Sequence, residues 1–303
     1  MDKIDTLVLS GGGIKCLSIL GALSYLIETE IIEDGFKGIK KIHYTSGSSI
    51  FTFPLLFGFN IGSAIEIFKD VDWSKIDLTE KMSINNLFTH FGFTDTETYN
   101  YVLEVFLENK GIRKDITLKE VYEINKIELN FNVVNVTKDK YESLNYINAP
   151  DLPIIKAIRM TSNIPILFKP IEYNGDLFVD GGLIENIKYE ELCKNKKSIG
   201  IDIIASDLAN TDEREDKKNE FKDFKEYLSY LYSIYGSKVY HENLKNHIKI
   251  KIPGFGGDIQ NYKKDVDDII TNGYETALKH FNNQKQIDSE KKSNEGQKDE
   301  VKS

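Results

Sequence analysis

The sequence predicts an α/β protein built on a mainly parallel sheet, and three observations carry that expectation. Short β-branched runs alternate with helix-periodic segments, the pattern of successive βαβ units. The first unit is the clearest: TLVLSGGGIKCLSIL, residues 6–20, sets an apolar strand against three glycines and then a helical repeat. The run IELNFNVVNV at 127–136 is rich in the residue types that strands favour.

Taken in order, residues 6–9 form the first strand. Residues 15–29 form the first helix, with Leu17, Leu20, Leu23, Leu26 and Ile27 on one face. Residues 39–45 read as a second strand, followed by a helix through Leu55 and Leu56 that stops near Gly58. Helices are expected at 61–71 and 96–109, around a less regular stretch containing Trp73. The strand at 127–136 pairs antiparallel with 140–146. A helix over 152–160 leads into the Pro-bounded IPILFKP and a hairpin-like stretch to Phe178 and Val179. Residues 198–204 read as a buried strand, 221–243 as a long helix, 247–252 as a late strand and 266–281 as a last helix. From 282 onward apolar periodicity is lost, so a folded domain over 1–283 and a disordered polar tail over 284–303 are expected.

Composition narrows the function classes. The 303 residues are 40% apolar, ample for a buried core. A net charge of -9 argues against nucleic-acid binding, since phosphate backbones repel an acidic surface. Cys16 and Cys193 fit neither a disulfide framework nor a metal spacing. The start MDKIDTLVLS lacks the basic and apolar regions of a secretory leader, and no 18-residue apolar run spans a membrane. A cytoplasmic protein is therefore expected, with peripheral membrane contact open.

Three segments carry chemistry. In SGGGIK, the side-chain-free Gly11, Gly12 and Gly13 let amides at a helix start close on a ligand oxygen, where the helix dipole adds roughly half a positive charge. In HYTSGSSI, residues 43–50, a serine on a strand-to-helix turn has the geometry that lifts an Oγ above a sheet. The pentad centred on Ser46 has glycine at Gly47 and a small residue, Ser48, at +2, but Tyr44 at -2. Centring on Ser48 or Ser49 puts Ile50 or Phe51 at +2, so Ser46 is the best candidate. Equally, Ser and Gly are favoured helix N-caps, and the segment could be only that. In LFVDGGLIEN, Asp180 follows a strand and precedes Gly181 and Gly182, on a turn that backbone can approach closely.

Taken jointly, these segments resemble the patatin-like phospholipases, acyl hydrolases with a Ser-Asp dyad. LSGGGIK is similar to the family's glycine-rich oxyanion block, TSGSSI to its nucleophile elbow, SNIPILFKP to its Ser-x-x-Pro-x-x-Phe-x-Pro segment, and VDGG to its catalytic Asp-Gly-Gly. Order and spacing agree over roughly residues 5–205. The resemblance implies a three-layer α/β/α fold and hydrolysis of phospholipids or other fatty acyl esters, with no metal and no cofactor. It assigns Ser46 as nucleophile and Asp180 as base. Gly11, Gly12, Gly13 and Lys15 fall to the oxyanion hole, with Gly47, Ser48, Gly181 and Gly182 in support.

The chain departs from the family at Cys16, Tyr44 and Ser48, where members usually carry glycine. Tyr44 is the most consequential, because a side chain two residues before the nucleophile presses on the sharp turn. A Ser-Asp-His order would require His241, His247 or His280, none in a distinctive context. Phe221, Phe224, Tyr227, Leu228, Leu231, Tyr232, Ile234 and Tyr235 form an apolar stripe suited to packing on the sheet or to an interface. Two rival readings are a nucleotide site, weakened because Cys16 takes the last glycine of G-x-G-x-x-G, and a catalytically silent lipid- or partner-binding module.

Overall fold

The computed structural model describes residues 3–71, 82–205, 244–252 and 262–300. The expected helix at 221–243, with its apolar stripe, lies outside them, as do Trp73 and His241. Strand β1 (Thr6–Leu9) runs through a 3₁₀ turn (Gly13–Cys16) into α1 (Leu17–Glu28). There follow β2 (Lys41–Tyr44), α2 (Ser48–Phe51), α3 (Ile61–Asp70), α4 (Ile84–His90), β3 (Gly92–Thr94), α5 (Thr98–Asn109) and α6 (Leu118–Asn125). Next come β4 (Glu128–Asn135), β5 (Lys140–Leu144), α7 (Ile154–Thr161), β6 (Ile166–Phe168), β7 (Ile171–Tyr173) and β8 (Asp176–Asp180). The described chain ends with α8 (Tyr189–Lys194), β9 (Ser198–Ala205), β10 (His247–Ile252) and α9 (Tyr262–Glu300).

An eight-stranded sheet has the order β10-β9-β1-β2-β4-β8-β7, with β5 also on β4. The first five strands are mutually parallel, whereas β5, β7 and β8 join antiparallel. The alternation of β1 side chains shows the layers: Leu7 and Leu9 enter the main core with α1, while Val8 packs on the other face with Ile187 and Leu192 of the α8 region. Helices therefore cover both faces, which is why all four β1 residues are buried.

On the main face, α1 and α9 cross at backbone contact. A Cβ on Gly21 would stand 1.8 Å from the Ile270 carbonyl oxygen, and one on Gly273 would stand 1.9 Å from that of Ser18. The helix expected through Leu56 is two pieces, α2 and a 3₁₀ turn over Phe53–Phe57, because Pro54 brings no N–H to continue the ladder. Beyond Phe281, α9 continues into the segment expected to be disordered. Most described side chains there face solvent, so local propensity and i,i+4 contacts such as Gln286 to Glu290 carry that part of the helix.

Candidate functional site

The topology makes two chain ends meet. Along one edge of β4, β2 pairs parallel up to Tyr44 opposite Phe131. Along the same edge, β8 pairs antiparallel up to Asp180 opposite Val133, while β5 occupies the other edge over 131–135. So β2 and β8 approach each other head-on, and Ser46, two residues past Tyr44, comes to the level where β8 delivers Asp180.

At that junction Ser46 takes φ 57, a left-handed conformation that non-glycine residues seldom adopt. The strain persists because the backbone is fastened: the Ser46 N–H donates to the Thr161 carbonyl oxygen at 3.1 Å and to Thr161 Oγ1 at 3.2 Å. Ser48 and Ser49 lie inside α2 with their hydroxyls turned back onto the chain. Ser48 Oγ donates to the Thr45 carbonyl (2.8 Å) and Ser49 Oγ to the Ser46 carbonyl (2.8 Å). Among the three serines, Ser46 alone occupies the strained apex.

Asp180 is completely buried at the end of β8. Its Oδ1 accepts from the Gly182 N–H at 2.8 Å, and its own N–H donates to the Asn163 carbonyl at 3.0 Å. Gly181 must be glycine for space, since a Cβ there would stand 2.4 Å from the Asn132 carbonyl oxygen. Thr161 Oγ1 donates to that same Asn132 oxygen at 2.6 Å, and Asn132 Nδ2 donates to Thr45 Oγ1 at 3.0 Å. Asn132 and Thr161 thus fasten the serine turn, and Gly181 of the aspartate turn packs against the same Asn132 carbonyl.

The glycine loop closes the third side. A Cβ on Gly11 would fall 2.8 Å from Ser46 Cβ, and one on Gly47 would fall 2.6 Å from the Gly13 carbonyl oxygen. Gly13 itself turns the chain at φ 56, a left-handed conformation glycine adopts freely. Asn186 clamps the loop: its Oδ1 accepts from Gly11 N–H at 3.0 Å and its Nδ2 donates to the Gly11 carbonyl at 3.2 Å. The Gly11 amide is therefore committed to Asn186. The amides of Gly12 and Gly13 have no assigned acceptor among the described residues. Lys15 is buried in the same turn.

Cys16 is buried between these parts, its Sγ donating weakly to the Ser10 carbonyl at 3.7 Å. Burial first, and then the nearby Asp180 charge, push its thiol pKa up, so it fills space and is not a thiolate. Tyr44 lies at the end of β2, two residues before the elbow. Its ring is wholly buried in the core and stacks on Phe131 with centroids 5.5 Å apart, and desolvation pushes its hydroxyl pKa up.

The described histidines lie against other groups. His43 lies 3.7 Å from Glu191, but burial lowers its pKa to about 4 against the pull of that carboxylate, so the pair is not ionic near neutrality. His247 Nε2 meets Asp202 at 3.1 Å, His280 Nε2 meets the Lys245 carbonyl, and His90 sits beside Thr89. No metal-holding cluster of His, Cys, Asp or Glu occurs among the described residues. Nor is any described helix long and apolar enough to cross a membrane.

Thr161, Asn132 and Asn186 were missing from the sequence-based candidates. A signal existed for one: three asparagines inside the largely buried β4 must find partners. For Thr161 and Asn186 the partners are 115 and 175 residues away, beyond any local pattern.

Comparison with known proteins bears on the family and the fold. Residues 7–192 match the sequence profile of the family described as "Patatin-like phospholipase". The chain is 33% identical over 205 residues to "Probable lipid hydrolase 463L" of Invertebrate iridescent virus 6, covering 64% of this chain and 67% of that one. It is 26% identical over 189 residues to the uncharacterized protein R571 of Acanthamoeba polyphaga mimivirus, covering 62% and 60%. The crystal structure of VipD from Legionella pneumophila superposes with a TM-score of 0.56 at 16% identity, over 93% of this chain and 67% of that one, a likeness of fold. With the profile covering more than half of its length and the fold in agreement, the chain belongs to the patatin-like phospholipase family.

Proposed function

We propose that this protein is a lipid acyl hydrolase of the phospholipase A type, acting through Ser46 and Asp180 without a metal. Asp180 takes the Ser46 Oγ proton, and Ser46 attacks the acyl carbonyl of a glycerolipid ester. The tetrahedral oxyanion is received by the Gly12 and Gly13 amides at the positive end of the first helix, with Lys15 adjoining; one such donor is typically worth about 2.7–4 kcal/mol. Collapse passes the proton from Asp180 to the departing alcohol and leaves an acyl-Ser46 ester. A water molecule, deprotonated by the same carboxylate, then releases the fatty acid and restores the serine.

The observation that carries this reading is the left-handed backbone of Ser46, φ 57, at the point where β2 and β8 converge. A serine serving only as a helix cap needs no such strain. Fluorophosphonate labelling tests it. The wild type should label and Ser46→Ala should not, whereas labelling that survives the substitution removes Ser46 from the chemistry. Asp180→Asn should lower ester hydrolysis by roughly 10²–10⁴-fold with its melting transition retained, as expected for a lost general base. An unlabelled, inactive wild type would leave the fold as a binding module.

A further inference from the structure

A patch beside the site has the wrong composition for an ordinary solvated surface. Residues 82–94, MSINNLFTHFGFT, and 160–168, MTSNIPILF, contain no Lys, Arg, Asp or Glu in a chain that is 29% charged. The two stretches meet through the parallel β3–β6 pair, with Gly92 opposite Ile166 and Thr94 opposite Phe168. On this unit Ile84 (69%), Phe88 (77%), Phe91 (67%) and Ile166 (42%) are exposed to solvent.

Two of these four side chains are held where the backbone disfavours them. Phe91 caps α4 at φ 63 and Ile166 sits at φ 72, both left-handed. Glycine or asparagine meets that conformation at lower cost, and a β-branched residue there is a genuine outlier. Turn geometry therefore does not explain the apolar side chains.

The patch is joined to the dyad by a short run of hydrogen bonds. Asn163 receives the Asp180 N–H through its carbonyl, while its Nδ2 donates to the Lys169 carbonyl at 3.0 Å. The Lys169 N–H donates to Thr94 of β3 at 2.8 Å, and Ser83, the N-cap of α4, donates to Phe93.

We propose that the α4/β3/β6 face is the membrane-docking surface of the protein, inserting Phe88 and Phe91, flanked by Ile84 and Ile166, into the acyl region of a lipid surface. The inference rests on the lipid hydrolase reading. An acidic chain gains nothing from anionic headgroups, so docking by uncharged apolar insertion is the mode its composition allows. A patch without formal charge also lets docking tolerate salt.

The test is co-sedimentation of the full chain with neutral phosphatidylcholine vesicles, using wild type, Phe88→Gln/Phe91→Asn and the conservative Phe88→Leu. Asparagine suits the left-handed backbone of residue 91, so the double variant should melt as wild type does. Its vesicle-bound to free ratio should fall at least about tenfold, as expected when two aromatic anchors are lost. Phe88→Leu should stay within about twofold, since it keeps an apolar side chain, and raising the salt should leave wild-type binding unchanged. Hydrolysis of a water-soluble short-chain ester should be equal in all three proteins. Wild type failing to sediment, the double variant sedimenting equally well, or binding that collapses in salt would overturn the proposal. So would self-association of the wild type, without vesicles, that the double variant loses, because the face would then be a contact between copies. Vesicle binding that follows the patch in a protein inactive on every ester would uphold the docking surface while refuting the hydrolase.

Discussion

Gly47→Ala isolates the fit between the serine turn and the glycine loop. Gly47 has φ -56 and ψ -23, right-handed values that alanine adopts without strain. At such positions alanine ordinarily stabilises by about 0.4–1 kcal/mol, by restricting the unfolded chain. Here the added Cβ would stand 2.6 Å from the Gly13 carbonyl oxygen, and 3.2 Å from Cys16 Sγ. Reaching the 3.0 Å below which real Cβ contacts essentially never fall requires the loop and the elbow to part by 0.4 Å or more. Overpacking of this kind typically costs about 1–3 kcal/mol, so the sign of the substitution should reverse and the protein should be destabilised. Since a misplacement of about 1 Å can cost roughly 10²-fold, a parting of this size should reduce kcat/KM on a soluble ester by roughly 5–10-fold. Gly58→Ala serves as the control: its φ is 77 and nothing lies within 4 Å of the new Cβ, so it carries backbone strain alone and should leave kcat/KM unchanged. Urea denaturation and initial rates on both variants decide the matter. A Gly47→Ala protein as stable and active as wild type would refute the claim that this contact sets the site.

Other outcomes follow from the same contacts. Asn186→Ala removes both side-chain hydrogen bonds to Gly11 and should cost about 1–3 kcal/mol, with kcat falling more than KM rises; unaltered kinetics would show that the clamp does not hold the loop. Thr161→Val keeps the shape but loses the Oγ1 link between Ser46 N–H and the Asn132 carbonyl, and should destabilise by roughly 1–2 kcal/mol in urea titration. His43 is kept neutral by burial, at a pKa of about 4 against an ordinary 6.5, among Glu191, Lys41, Glu128 and Lys188. The unfolded chain binds its proton first, so the His43 contribution is complete above pH 6.5 and is lost as pH falls toward 4, about 3 kcal/mol in all. His43→Leu should flatten that part of the pH–stability curve, and an unchanged slope would contradict it. Gly273→Ala places a Cβ 1.9 Å from the Ser18 carbonyl and should lose the cooperative melting transition or lower it severely.

The residues that create secondary structure locally were legible. The β1 strand, the glycine loop and α1 lie in one stretch, and β4, β9 and β10 announce themselves by buried β-branched runs. The tight turn after Asp180 was legible because a strand end followed by two glycines allows close backbone approach, and the Asn132 carbonyl supplies that approach. Helix α4 escaped because its apolar residues are exposed or only partly covered and give no core-facing period, and strand β3 because three residues are too short to show one. The stacking of the Tyr44 ring on Phe131 of the neighbouring strand has no local signal, because it depends on the β2–β4 register.

By itself, then, the sequence determined the βαβ order and the family, because strand composition, glycine placement and motif spacing are local properties. Only the tertiary structure decided that β2 and β8 run head-on along one edge of β4, bringing Ser46 and Asp180 to the same level. It alone committed the Gly11 amide to Asn186 and turned Tyr44 into the core. Such outcomes depend on strand register and on partners far apart in the chain, where a donor buried by folding must find whichever acceptor the fold brings to it.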